Sequence, residues 1–276
     1  MEEKIEVKVL ADNEVYESGL LAEHGLSFWI KYGDKKFLFD TGQGLVLEHN
    51  AVKMGIDLDS LSGVMLSHGH FDHGGGVGAL LDSGEKIPLY AHPRVFAQKY
   101  ARDREEDRLE KKGIEFSRDD VRFNSVISPE KIVGELSLTG EISRSNEWEK
   151  TPERYLVRSA GEKELEKDDF RDDQALFFPT DSGLVILLGC AHSGVVNTVE
   201  YIKSISSFHT LRAVMGGMHL HDAEKNDVER TIRYLAEQEL ELIVPMHCTG
   251  FYAQARMKQA LKSSVEIGEV GMSFKF

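Results

Sequence analysis

Ser67-His68-Gly69-His70-Phe71-Asp72-His73 follows the apolar run Gly63-Val64-Met65-Leu66 and precedes Gly74-Gly75-Gly76. An apolar run that stops at polar side chains and glycines reads as a strand leading into a turn. The turn concentrates three imidazoles and one carboxylate, His68, His70, His73 and Asp72. Such donors suit borderline divalent metals such as zinc, and close spacing lets alternate side chains converge on two neighbouring ions. The stretch therefore predicts a binuclear metal site with His68, His70, Asp72 and His73 among its ligands.

Working outward, Phe37-Leu38-Phe39-Asp40-Thr41-Gly42 is a second apolar run ending in a turn. Metal-bound imidazoles usually give their other N–H to a carboxylate or carbonyl. Asp40 is therefore read as the partner of a ligand imidazole; the alternative is that Asp40 and Thr41 cap a helix starting near Gly44. Three later motifs also end apolar runs: Gly189-Cys190-Ala191-His192-Ser193-Gly194, Gly216-Gly217-Met218-His219-Leu220 and Met246-His247-Cys248-Thr249-Gly250. His192 offers a further imidazole to the first ion. Cys190 either binds an ion as a thiolate or is a small buried residue with its sulfur turned away. Cys248 points away from His247 if the strand continues, which makes it a core residue. His219 follows paired glycines that permit close backbone approach, and it is read as contacting substrate or supporting a ligand. His24 and His92 are weaker candidates of that kind.

A chain of 276 residues with 41% apolar content can bury the core of one large α/β domain, expected here over residues 1–276. No apolar run is long enough to span a bilayer, and residues 1–4 lack the pattern of a signal peptide, so no membrane partner and a cytoplasmic location are expected. Two cysteines are too few for a disulfide framework. The net charge of −14, from 47 acidic and 33 basic residues, argues against a nucleic-acid partner. A phosphorylated small molecule stays compatible, because bound cations supply local positive charge. No feature of the chain sets an oligomeric state.

Strands are predicted at 5–10, 28–32, 36–39, 63–66 and 87–91, with helices at 45–54, 77–81 and 93–101. Residues 102–172 are charge-dense and less periodic, and their charges read as a solvated helix face or loops. Strands at 175–178, 184–188, 211–215 and 240–244 then alternate with helices at 195–205, 223–237 and 251–261.

The His-x-His-x-Asp-His motif after an apolar strand, with Asp40-Thr41-Gly42 before it, resembles the metallo-β-lactamase superfamily. Glu23-His24-Gly25-Leu26-Ser27 and the three later motifs extend the resemblance along nearly the whole chain, and they are similar to the branch that includes an archaeal dihydropterin-type synthase. The resemblance implies a four-layer αββα sandwich with the metal site along one edge, and places the 102–172 segment where substrate-covering insertions occur. It implies two divalent ions, zinc first with manganese or iron as alternatives. His68, His70 and His192 would hold one, and Asp72, His73 and His247 the other. Members usually carry a bridging aspartate where Cys190 stands. Asp72 would also serve proton transfer if one of its oxygens stays free, and aromatic residues such as Phe71, Phe116, Phe123, Trp148 and Tyr155 could wall a flat substrate. The implied activity is hydrolysis, or condensation of a pterin with an arylamine; a non-catalytic sensor or scaffold is a third reading.

Overall fold

The computed structural model describes residues 5–81, 86–103, 106, 108–159 and 161–276. The N-terminal residues 1–4 and the charged positions 104, 105 and 107 therefore lie outside the described residues.

Strands buried on both faces decide the architecture. In Gly183–Leu188 every residue is buried. Val185 and Leu187 point to one core, and Leu184, Ile186 and Leu188 to another. A period of two with no polar face requires cover on both sides. Gly183–Leu188 belongs to a six-stranded sheet ordered Leu242–Met246, Leu211–Gly217, Gly183–Leu188, Leu176–Thr180, Leu136–Leu138 and Glu130–Val133, parallel across its first three strands. A seven-stranded sheet is ordered Ser273–Lys275, Ile5–Ala11, Ser27–Tyr32, Lys35–Phe39, Gly63–Met65, Pro88–Ala91 and Arg122–Ser125, parallel across its last four.

The inner faces of the two sheets share one core, in which Val7, Phe28 and Phe39 meet Phe178, Leu187 and Met215. Helices Val195–Ile205, Lys225–Glu237 and Phe251–Leu261 cover the outside of the six-stranded sheet through Val199, Ile232 and Met257. Helix Leu47–Lys53, Val77 and Val95 cover the outside of the other. The result is the four-layer αββα sandwich, the arrangement that buries both faces of both sheets.

The sequence reading departs from the structure in the middle of the chain. The helix expected at 93–101 is a single 3-10 turn, Pro93–Phe96, followed by strand Gln98–Arg102. Proline starts the turn as expected, but Lys99 and Ala101 then face inward on a strand paired with Tyr155–Arg158. A buried lysine conceals that alternation. Likewise, the segment read as loops or a helix face holds strands Leu109–Lys111, Tyr155–Arg158 and Glu166–Lys167, which with Gln98–Arg102 form an antiparallel sheet against the site. Among the described residues no helix is long and apolar enough to cross a membrane.

Phe178 is fully buried between the two sheets, with its ring edge-on to Phe276 at 5.7 Å. Phe178→Ala is expected to cost about 3–5 kcal/mol of stability, read as a lower urea midpoint with an unchanged slope.

Candidate metal centre

The polar motifs lie just past the carboxyl ends of parallel strands: Asp40 after Lys35–Phe39, His68 after Gly63–Met65, Cys190 after Gly183–Leu188, His219 after Leu211–Gly217 and His247 after Leu242–Met246. Ligand sites in layered α/β folds form at such ends, where neighbouring strands release their chains in different directions.

Asp40 sits beneath this cluster, fully buried, in the left-handed region at φ 60°. Oδ1 accepts the Ser67 backbone N–H at 2.7 Å; Oδ2 accepts from Ser67 Oγ at 2.6 Å and faces His73 Nδ1 at 2.7 Å. Asp40 does not cap the following helix, Leu47–Lys53, whose N-cap is Val46. These contacts set two imidazole tautomers. His73 gives its Nδ1 proton to Asp40. Ser67 has spent its only proton on the carboxylate, so its oxygen accepts from His68 Nδ1 at 2.9 Å. Whenever either ring is neutral, its Nε2 lone pair is left facing the cluster. A Cβ at Gly189 would stand 2.1 Å from Ser67 Oγ and 3.1 Å from Asp40 Oδ2, so only glycine leaves room for the relay.

His247 is oriented the same way from the opposite sheet. Its Nδ1 faces Asn13 Oδ1 at 2.9 Å, and that oxygen also accepts the Gly25 N–H, which marks it as the carbonyl end of the amide. Asp12 Oδ1 accepts the His247 backbone N–H. His247 Nε2 then meets His73 Nε2 at 3.3 Å, and two bare lone pairs at that separation require a proton or a cation between them. Burial works against a charge on His73, yet Asp40, through its charge and its hydrogen bond, holds the ring up to about 9. The proton it carries at neutral pH stands where a cation would. Burial pushes His247 down to about 4. Asp72 is itself buried, but hydrogen bonds with His24 and His247 keep its carboxyl well below the usual range. Its Oδ2 lies 3.2 Å from His24 Nε2 and 3.5 Å from His247 Nε2.

His68, His70 and His192 make a second group, with ligand atoms within 4.8 Å of one another. Nε2 of His68, Nε2 of His70 and both ring nitrogens of His192 are buried with no hydrogen-bond partner. Burial depresses all three rings, His70 to about 3, and so holds them in the neutral form that can donate a lone pair. Unpartnered buried nitrogens cost about 1–3 kcal/mol each, and a shared cation would remove that cost. Cys190 links the groups: its Sγ lies 3.1 Å from His73 Nε2 and within 4.8 Å of a His68 nitrogen.

Several residues that hold the centre carry no signal of their own in the sequence. Phe170 stacks on His192 with ring centroids 3.8 Å apart and stands edge-on to His70. Lys99 is buried between Asp168 (2.7 Å) and Asp172 (2.8 Å), and Asp172 also accepts the Gly69 N–H between the two histidines. This triad ties the small antiparallel sheet to the His68–His70 turn. Asp12, Asn13 and Ser67 are likewise legible only from their contacts.

The remaining candidates divide. His24 reaches the centre through Asp72. His219 adjoins His192 at 4.5 Å between centroids and faces Tyr155 Oη with its Nε2 at 3.3 Å; burial pushes it down to about 3. Burial raises the Tyr155 hydroxyl, so it keeps its proton and donates it to His219, while Arg154 donates to the same oxygen at 2.8 Å. His92 instead caps the 3-10 turn, accepting from the Arg94 N–H. Phe116 and Phe123 pack around Phe96 in the outer core and wall no site. Cys248 corrects the sequence reading: the chain turns into a 3-10 helix at His247–Thr249 rather than continuing as a strand. Its Sγ therefore points inward, 3.3 Å from Cys190 Sγ. A cleft of about 890 Å³ opens on His192 and His219, walled by Trp148 and lined by Lys150, Arg230 and several carboxylates.

Residues 21–203 match the family model of the Metallo-beta-lactamase superfamily. The chain belongs to that superfamily. It is 31% identical to the 7,8-dihydropterin-6-methyl-4-(beta-D-ribofuranosyl)-aminobenzene-5'-phosphate synthase of Methanocaldococcus jannaschii, over 99% of this chain and 97% of the relative. An uncharacterized protein of the same organism is 30% identical over 92% of this chain and 94% of its own. The crystal structure of Tm1679, a metal-dependent hydrolase of the beta-lactamase superfamily, superimposes with a TM-score of 0.84 at 28% identity over 98% of each chain. Metal dependence belongs to the superfamily, and the unpartnered imidazole nitrogens and inward thiols of this chain fit it.

Asp40→Asn replaces a carboxylate facing three donors with an amide whose single oxygen cannot serve both the Ser67 backbone N–H and the Ser67 hydroxyl with His73 Nδ1. It is expected to weaken metal binding about 10–100-fold, measured by competition with a chromogenic chelator; unchanged affinity would remove Asp40 from its orienting role.

Proposed function

We propose that this metallo-β-lactamase superfamily member is a two-ion enzyme acting on a phosphorylated small molecule, condensing a pterin with an arylamine and releasing diphosphate. The observation that carries the two-ion part is the pair of preset donor groups, His68 with His70 and His192, and Asp72 with His73 and His247, of which His192 lines the cleft. The similarity to the dihydropterin synthase supplies the substrate class. The bound ions would supply positive charge and Lewis acidity to phosphate oxygens. The protein's own part is to orient and to exclude. Asp72, kept ionised, offers oxygens as ligand atoms and is a poor base while both neighbouring histidines hold it. Tyr155 fixes the tautomer of His219, leaving the Nδ1 proton as the ring's remaining donor for a bound group. Trp148 presents a flat apolar wall to a heterocycle, and Arg230 and Lys150 give the cleft cationic contacts among its carboxylates. A net charge of −14 disfavours nucleic acid as substrate.

The likeness to Tm1679 favours a second reading, hydrolysis at the same centre. Thermal shift with the metal-loaded protein separates the two. Diphosphorylated and phosphorylated heterocycles are expected to raise the melting temperature, with about 2.7 kcal/mol of stabilisation at a hundredfold excess over Kd, and neutral β-lactams to leave it unchanged. A larger shift with lactones or β-lactams, together with their turnover, would replace the condensation by hydrolysis. His68→Ala is expected to lose one equivalent of metal by elemental analysis while keeping its far-ultraviolet circular dichroism; full retention of both equivalents would overturn the ligand set.

A further inference from the structure

We infer that the second ion position is a mixed imidazole–thiolate site in which Cys248, with Cys190, binds the metal beside His73 and His247. The inference rests on the two-ion reading and extends it to a residue outside the His and Asp motif.

Donor atoms from three distant parts of the chain meet there around Cys190, which belongs to one group with His73 and to another with His247 and Cys248. His73 Nε2 lies 3.3 Å from His247 Nε2 and 3.1 Å from Cys190 Sγ, and Cys190 Sγ lies 3.3 Å from Cys248 Sγ. A ligand nitrogen of His247 and both sulfurs also fall within 4.8 Å of one another. Tetrahedral zinc, with bonds of about 2.0–2.1 Å to nitrogen and about 2.3 Å to sulfur, separates its nitrogens by about 3.3 Å and its sulfurs by about 3.8 Å. The nitrogen pair already stands at that distance, and the sulfurs need part only by about half an ångström.

The surroundings are shaped for the second sulfur. A Cβ at Gly217 would come within 2.8 Å of Cys248 Sγ and 2.4 Å of the Gly189 carbonyl oxygen, so glycine there opens the space Cys248 occupies. The His219 backbone N–H donates to Cys248 Sγ at 3.3 Å, a contact that strengthens when sulfur carries negative charge. The 3-10 turn His247–Thr249 makes adjacent residues serve one point, because it swings Cys248 to the side that His247 already faces. Asp72, a donor of the same position in the two-ion reading, brings its Oδ2 to 3.5 Å from His247 Nε2, with His24 Nε2 3.2 Å from that oxygen. Each thiol gives up its proton to solvent as its metal–sulfur bond forms, as does His73, so binding releases protons without any change of oxidation state. Thiolate donors favour zinc, cobalt or iron over magnesium and manganese.

The test loads the full-length, reduced protein with cobalt(II) alone and follows absorbance and metal content together. A sulfur-to-cobalt charge-transfer band in the near ultraviolet is expected. It should weaken in Cys248→Ser and in Cys190→Ser and vanish in the double variant, while His68, His70 and His192 keep one equivalent of metal throughout. Cys248→Ser is also expected to weaken zinc at one of the two positions by about tenfold or more, at least the usual cost of losing a ligand's partner. Absence of the band from the unmutated protein carrying two equivalents of cobalt would overturn the inference without reference to any variant. A band abolished by Cys190→Ser and unaltered by Cys248→Ser would leave Cys248 a packing residue. No bound metal in any form would overturn the two-ion reading itself.

Discussion

The Asp40 carboxylate is the constraint on which the centre depends, because it decides where the imidazole protons go. One of its oxygens receives the Ser67 hydroxyl and the His73 Nδ1 proton, and the other receives the Ser67 backbone N–H. His68 is fixed at one remove, through a serine oxygen whose proton is already committed. Two imidazoles on a seven-residue stretch are thus left with lone pairs aimed at one region, where free rings would interchange tautomers and rotamers. Asn13 does the same for His247 from another strand end. Buried imidazoles without such partners would be costly; with them, their remaining nitrogens are available to a cation.

The relay demands close packing in turn. Gly189 must lack a side chain for Ser67 and Asp40 to meet, and Gly69 must lack one because a Cβ would lie 2.3 Å from the Val95 carbonyl oxygen. The Lys99–Asp168–Asp172 triad holds the same turn from the side of the small sheet. A buried ion triad is weak evidence for stability, since desolvation offsets its attraction. Its position points instead to geometry: it fixes the backbone between His68 and His70 and brings Phe170 against His192.

Much of the fold was legible wherever both faces of a strand are buried or a helix has one apolar stripe. The helices 195–205 and 251–261 fall where the periodicity puts them. Legibility failed between residues 93 and 172, where pairing with distant strands overrode local preference. Lys99 illustrates the reason: its inward position on a strand becomes tolerable only when Asp168 and Asp172, some seventy residues later, neutralise it.

Sequence alone marked the candidate donors and their placement at strand ends, because ligand chemistry and the change from apolar strand to polar turn are both local properties. It also marked Asp40 as an orienting group, because metal-bound imidazoles need an acceptor. Only the tertiary structure decided which nitrogens stay bare, since that follows from hydrogen bonds to Ser67, Asp40 and Asn13. It alone turned Cys248 inward, because the direction of that side chain depends on a 3-10 turn at His247 and on the space left by Gly217 on the neighbouring strand.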